Sequence, residues 1–259
     1  MNAPEGPFPR LLVLTDASQT GERSLLDTIR LAIDGGARAV VIREKGSSPP
    51  ERRALARAVR QAMQEVGGLV LVASDLTIEA DGVHLASTDP FPHDDRPALV
   101  GRSCHGLADV LRAAGEGCDY VTVSPVFETA SKPGYGPALG LAGLRDIVDD
   151  FEMGTDETPA ALVRPHGRAM PIYALGGVDV ELAGVCLRAG ATGVAVMGGV
   201  MRAADPSATV HALVHAVKDC ACVGGSALPP RRPFDDTLDV ASHQLRNQSR
   251  SWQLGEVGP

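Results

Sequence analysis

The chemistry open to this chain rests on three cations, two carboxylates and one loop of hydroxyls and glycines. Arg43 and Lys45 stand two residues apart in the run Val41-Ile42-Arg43-Glu44-Lys45. Alternate residues of a strand share a face, so Val41, Arg43 and Lys45 project together, and two cations at a strand end suit a polyanion. From these residues alone, a solvated strand end with Arg43 paired to an acidic neighbour is an equal reading. Asp75 and Asp89 each follow a further β-rich run. Two carboxylates on neighbouring strand ends can hold one Mg²⁺ that keeps several waters and bridges to phosphate oxygens. Both also have structural readings: Ser74 or Asp75 as a helix cap, and Asp89-Pro90 as an N-cap followed by proline at N1. The third cation, Lys132, lies in SPVFETASKPGYGP (124–137), beside the hydroxyls of Thr129 and Ser131. Hydroxyls and an ammonium on a glycine-rich loop suit phosphate, and its place after a strand favours that role over a merely solvated connection.

Positioning these residues requires a repeating scaffold. β-rich runs recur at LLVLT (11–15), AVVIR (39–43), LVLVA (69–73), GVHL (82–85), ALVGR (98–102), DYVTVS (119–124), PIYAL (171–175) and ATGVAVM (191–197). Most are followed by a segment with helical patterning, closed by glycine at Gly35-Gly36, Gly67-Gly68 and Gly117. Repeated βα units imply parallel strands. Eight of them in 259 residues favour closure into a (β/α)8 TIM barrel over an open doubly wound sheet. The expected organisation is an N-terminal segment at 1–10, the barrel at 11–219 and a disordered tail at 220–259, with a surface insertion at 155–168. In a barrel, Gly176-Gly177 and Gly198-Gly199 follow strands seven and eight, where backbone N–H groups often receive phosphate. His84 and His105 fall at strand ends, where either can hydrogen-bond a ligand ring or move a proton, though each alone is more often structural. His211 and His215 share a helix face without acidic or cysteine partners and read as surface residues.

Composition narrows the partners. The net charge is −8 and the pI near 5.3, which argues against nucleic-acid binding through a general basic surface but leaves room for a local anion pocket. Met1 to Arg10 contains no apolar run of signal-peptide length, and no stretch approaches the roughly 20 apolar residues of a membrane span. Five scattered cysteines, with Cys220-Ala-Cys222 taken as incidental, read as reduced thiols of a cytoplasmic protein. The expected partners are small phosphorylated molecules, with no nucleic acid and no membrane; a homo-oligomer stays open.

Taken together and in order, LLVLTD, VVIREKGS, DGVHLASTD, LVGRSCH, DYVTVSPVFETASKPG, YALGGV and GVAVMGGVMRAADP resemble the thiamine phosphate synthase family and its relative, the thiazole tautomerase family, from about Leu11 to Val217. The synthase resemblance implies a transferase in which pyrophosphate leaves the methylene carbon of an aminopyrimidine and a thiazole phosphate nitrogen attacks that carbon. It implies that Arg43, Lys45 and Lys132 bind the leaving pyrophosphate and that Asp75 and Asp89 hold Mg²⁺. Thr129, Ser131 and the turns at Gly177, Gly198 and Gly199 would cradle the thiazole phosphate; Ser74 would donate to a phosphate oxygen; His84 and Ser103 would contact the pyrimidine. The chain departs from the synthase pattern at Val41 (glutamine there), Ser74 (asparagine), Ala86-Ser87 (Gly-Gln), Glu128 (proline) and Gly198 (serine). The tautomerase relative carries a histidine where this chain has Pro125, and needs no metal. A phosphate-ligand binder without catalysis is the third reading.

Overall fold

Runs of Val, Leu, Ile and Ala that are buried on both faces have nowhere to sit but between two layers, and here they close on themselves. In the computed structural model, which describes residues 8–129, 137–153 and 170–219, the strands are β1 (Leu11–Leu14), β2 (Ala39–Ile42), β3 (Leu69–Ala73), β4 (Gly82–Leu85), β5 (Leu99–Cys104), β6 (Tyr120–Val123), β7 (Ile172–Leu175) and β8 (Gly193–Val196). Each pairs in parallel with the next, and β1 pairs with β8 through Leu11↔Val194 and Val13↔Val196, so the sheet is a closed eight-stranded barrel. The described residues fall in one unit, Met1–Val223; the second unit, Gly224–Pro259, and the tail and insertion expected from sequence lie outside them.

The barrel interior is filled by Leu12, Leu14, Ala39, Val41, Leu71, Leu99, Tyr120, Tyr173 and Ala195. Aromatic residues are scarce in this chain, yet three of them plug one end. Phe8 stacks on Tyr120 at 4.9 Å between ring centroids, and Tyr120 meets Tyr173 edge-on at 5.7 Å. Gly101 makes room for this plug, because a Cβ there would fall 2.1 Å from Tyr120 Cζ. Just ahead of β1, Pro9 accepts from the Tyr173 hydroxyl (2.7 Å), so Phe8 and Pro9 pack into the barrel.

Outside the strands run α1 (Leu25–Asp34), α2 (Pro49–Gln64), α3 (Leu107–Glu116), α4 (Gly140–Met153), α5 (Val180–Arg188), the short α6 (Gly198–Met201) and α7 (Pro206–Asp219). Their starts follow from side chains that replace missing helical hydrogen bonds: Ser24 accepts from Asp27 N–H, Ser48 and Glu51 form a capping box, and Asp179 accepts from Glu181 and Leu182 N–H. Two connections differ from the sequence expectation. No helix follows β3 or β4, so neither Ser74, Asp75 nor Asp89 caps one. Residues 74–81 instead return as irregular chain, with Ile78 buried and Asp81 Oδ2 accepting from Val70 N–H (2.8 Å). No helix of the described residues is long and apolar enough to cross a membrane.

Candidate active site at the carboxyl rim

All eight strands run the same way, so the residues after β2, β3 and β4 stand on neighbouring positions of one rim. That places Arg43, Lys45, Ser74, Asp75 and Asp89 along a single arc. Buried Thr15 and Glu44 anchor its start. The Thr15 hydroxyl donates to Glu44 Oε1 (2.6 Å) and accepts the N–H of Arg43 (2.9 Å), while Ala17 N–H donates to Glu44 Oε2 (3.0 Å). Both oxygens of Glu44 are thus engaged by hydrogen bonds. Val41 lies in the interior cluster, so Arg43, two residues on, projects over the interior. Its Nη1 lies 3.8 Å from Met197 Sδ, just past β8 on the far side of β1. Among the described residues no carboxylate stands within ion-pair distance of Arg43, although its charge helps to lower the pKa of Asp16. Lys45 is exposed, and Ser131 and Lys132 lie outside the described residues.

The two carboxylates are held differently. Asp75 Oδ1 accepts from the N–H (3.0 Å) and hydroxyl (2.7 Å) of Thr77, and Oδ2 pairs with Arg52 of α2 at 2.9 Å. Burial would raise its pKa, but the Thr77 hydrogen bonds and the charges of Arg52 and Arg53 bring it below the ordinary carboxylate value. Asp89 accepts from Ala86 N–H through Oδ2 (2.8 Å), and no described residue donates to its Oδ1. Both are hard oxygen donors on partly exposed strand ends, the chemistry that Mg²⁺ takes when waters and phosphate oxygens complete its shell. The donor chemistry of these residues suits the ion on the condition that Arg52 shares or yields Asp75 Oδ2. Among the described residues no group of three acidic, histidine or cysteine side chains forms a self-sufficient metal cage.

The loop that carries Asp89 is clamped from beneath by Arg102 of β5, only 1% exposed. Its Nη1 donates to the carbonyls of Ala86 (3.0 Å), Ser87 (3.2 Å) and Asp89 (2.8 Å), and Nη2 pairs with Glu116 at 2.8 Å. Ser87 also receives Arg112 Nη2 at 2.7 Å.

Deeper in the same arc, His84 of β4 is buried, with Nε2 3.0 Å from Ser103 Oγ and Nδ1 2.9 Å from the Tyr120 hydroxyl. Burial pushes its pKa down to about 4, helped by the positive charges of Arg43 and Arg102 and opposed by Asp89. The same charges show that Arg43 and Asp89 are felt at one imidazole. His84 is therefore neutral at pH 7. The unfolded chain takes up this proton near pH 6.5 and the folded chain only near 4, so the unfolded state binds more protons between those values and stability rises with pH across them. The contribution is whole above about pH 6.5 and is lost as pH falls toward 4, about 3 kcal/mol in all. Urea titrations from pH 7 to 4 should show a shallower pH slope for His84→Gln than for the wild type; identical slopes would contradict the assignment. His105, at the end of β5, has Nδ1 2.7 Å from the Ser124 carbonyl, which ties it to the β6 loop rather than to the interior.

The glycine turns close the other side of the rim. Gly176 and Gly177 have φ of +95° and +66°, and the segment after β6 lies directly on them: Phe127 N–H donates to Gly176 O at 2.9 Å. A Cβ on Gly177 would come within 2.5 Å of Glu128 O and 2.7 Å of Phe127 Cβ. Thr129 is half-buried at the end of that segment. Gly198 and Gly199 begin α6, so their N–H groups have no partner inside it. Gly177→Ala should displace this turn and lower the affinity for a phosphorylated ligand about tenfold to a hundredfold, given about 1–2 kcal/mol for left-handed backbone plus the clash. Titration calorimetry checks this, and unchanged affinity would remove the turn from the site.

Sequence reasoning missed Thr15, Arg52, Arg102 and Tyr120. A buried arginine and tyrosine within strand runs were the available signal, since neither is interior without a polar partner.

The family model described as thiamine monophosphate synthase matches residues 11–200. A thiamine-phosphate synthase from Roseiflexus castenholzii is 34% identical over 227 residues, covering 80% of this chain and 89% of that protein. Another from Chloroflexus aurantiacus is 34% identical over 219 residues, covering 79% and 90%. Of solved structures, a thiamine phosphate pyrophosphorylase from Pyrococcus furiosus superposes with a TM-score of 0.67 at 28% identity, covering 82% of this chain and 96% of that one.

Proposed function

The chain belongs to the thiamine monophosphate synthase family, and from that premise we propose that it joins an aminopyrimidine diphosphate to a thiazole phosphate, giving thiamine phosphate and pyrophosphate. The observation that carries the reading is Arg43, aimed over the barrel interior with no described carboxylate within ion-pair distance. The bond from the pyrimidine methylene carbon to the diphosphate oxygen breaks, leaving positive character on carbon and a polyanion beside it. Such a step needs charge stabilisation more than a strong base. Arg43, Lys45 and Lys132 are assigned to the departing diphosphate. Asp75 and Asp89 are assigned to Mg²⁺, which when bound supplies further neutralisation of the leaving group. His84 and Ser103 hold the pyrimidine ring; Ser74 donates to a phosphate oxygen; Thr129, Ser131, Gly177, Gly198 and Gly199 hold the thiazole phosphate. The thiazole nitrogen then attacks the methylene carbon.

Val41 sits within the packed interior, where a methyl-bearing side chain fills space beside Ala39 and Leu71. The pyrimidine contact that a glutamine would make there is not available, so His84 and Ser103 carry more of the ring's recognition. The isomerase reading lacks its acid–base group: Pro125 stands in that place, and His105 is bonded to Ser124. A cytoplasmic location goes with the synthase reading.

The test is pyrophosphate release from purified protein given both substrates, with Mg²⁺ and after EDTA. Release with Mg²⁺ and its loss with EDTA is the expected pair of results. No release with Mg²⁺ refutes the transferase, and equal release after EDTA refutes the metal.

A further inference from the structure

Tyr120, which the proposed reaction does not use, decides which way the hydrogen bonds at the pyrimidine site point. Its side chain is 0% exposed, and the only polar atom in hydrogen-bond reach of its hydroxyl among the described residues is His84 Nδ1, at 2.9 Å. On the other side of the ring, His84 Nε2 lies 3.0 Å from Ser103 Oγ. With a neutral imidazole, two arrangements of protons satisfy these distances. In one, Nδ1–H donates to the tyrosine oxygen and Ser103 donates to Nε2. That leaves the tyrosine O–H buried with nothing to donate to. In the other, Tyr120 donates to Nδ1, the imidazole proton sits on Nε2, and Nε2–H donates to Ser103 Oγ. The Tyr120 hydroxyl proton and the imidazole proton then each have an acceptor.

A doubly protonated ring is a third arrangement, and the surroundings oppose it. The imidazole is desolvated and faces the guanidinium charges of Arg43 and Arg102, with Asp89 alone opposing them. The phenol also stays protonated, because burial holds its pKa well above the ordinary value. Tyr120 thus keeps a proton to donate at neutral pH.

We propose that Tyr120 is a positioning residue that fixes His84 in the Nε2–H tautomer, so that Ser103 accepts from the ring and its own O–H is left to donate to the ligand. The neighbouring hydroxyl does not take that proton: Thr122, paired with Ser103 across β5 and β6, has a buried Oγ1 with no hydrogen-bond partner. Ser103 is half-buried at the rim, so its O–H is open to a bound ring. A site built this way selects a ring atom that accepts, such as an unprotonated pyrimidine nitrogen, and rejects an analogue with C–H there. The identity of that ring rests on the synthase reading; the direction of the hydrogen bonds does not.

Histidine-labelled protein separates the two. ¹⁵N spectra of the resting enzyme should show the His84 ring with a proton on Nε2 and a bare, hydrogen-bonded Nδ1. A proton on Nδ1 overturns the proposal whether or not the protein turns over any substrate. Tyr120→Phe should let the ring exchange between tautomers and raise KM for the aminopyrimidine diphosphate about tenfold, with kcat within about twofold. An analogue with C–H in place of the accepting nitrogen should bind about tenfold more weakly to the wild type and lose little further on Ser103→Ala. An unchanged KM in Tyr120→Phe, in protein whose unfolding midpoint is preserved, also overturns it. If the ¹⁵N spectra agree but no pyrophosphate is released, the hydrogen-bond direction stands and the synthase reading fails alone.

Discussion

Arg43→Ala should lower pyrophosphate release about a hundredfold to a thousandfold, with little effect on stability. A single preorganised donor aimed at developing charge is worth about that factor. Arg43 qualifies because its backbone is fixed by Thr15 while its guanidinium is not occupied by any described carboxylate. Among the described residues its side chain makes one hydrogen-bond-range contact, the 3.8 Å approach to Met197 Sδ, and no ion pair, so little bonding is lost on truncation. Arg43→Lys should recover only part of the rate, since an ammonium is a point charge without the paired fork that a diphosphate accepts. Steady-state rates beside urea midpoints check this. A rate within a few-fold of wild type would remove Arg43 from the leaving-group site.

Arg102→Leu should act on the other property, stability. The guanidinium is buried, donates to three carbonyls of the loop 86–89 and faces Glu116, whose side chain is 25% exposed. Removing one partner of a buried pair costs about 3–5 kcal/mol, because the groups left behind are desolvated and unpaired. The same change frees the loop carrying Asp89, so Mg²⁺ should be needed at higher concentration by any protein that still folds. A urea midpoint that moves by less than the equivalent of about 1 kcal/mol would show that the loop holds itself.

The strands were legible because β-branched runs buried on both faces have one outlet, a parallel sheet covered by helices. LVLVA and GVHL appear as strands over the residues that the periodicity marks. The two helix-less connections were not legible from the acidic residues that precede them. Asp75 and Asp89 look like caps in sequence, yet only eight residues, 74–81, join β3 to β4, and the stretch from Asp89 to Pro97 holds three prolines. Of the site, the arc of Arg43, Lys45, Asp75 and Asp89 could be read from strand ends alone, since parallel strands must deliver their carboxyl ends to one rim. Their partners could not. Arg52 on a helix face looks like a solvated charge and instead reaches Asp75. Tyr120 meets His84 across 36 residues, and Arg102 meets Ala86 across 16, contacts that exist only once the barrel has closed. Val41 illustrates the reverse: its departure from the family's glutamine is visible in sequence, while its burial in the interior is a property of the closed sheet.

A crystal of the protein soaked with Mg²⁺ and inorganic diphosphate tests the central assignment in one measurement. The account predicts a diphosphate seated on Arg43 and Lys45 with a metal ion joining it to Asp75 and Asp89, and Arg52 moved off the Asp75 carboxylate or sharing it. A diphosphate bound elsewhere on the barrel, with the Arg52–Asp75 pair intact and no metal density at Asp89, would contradict it.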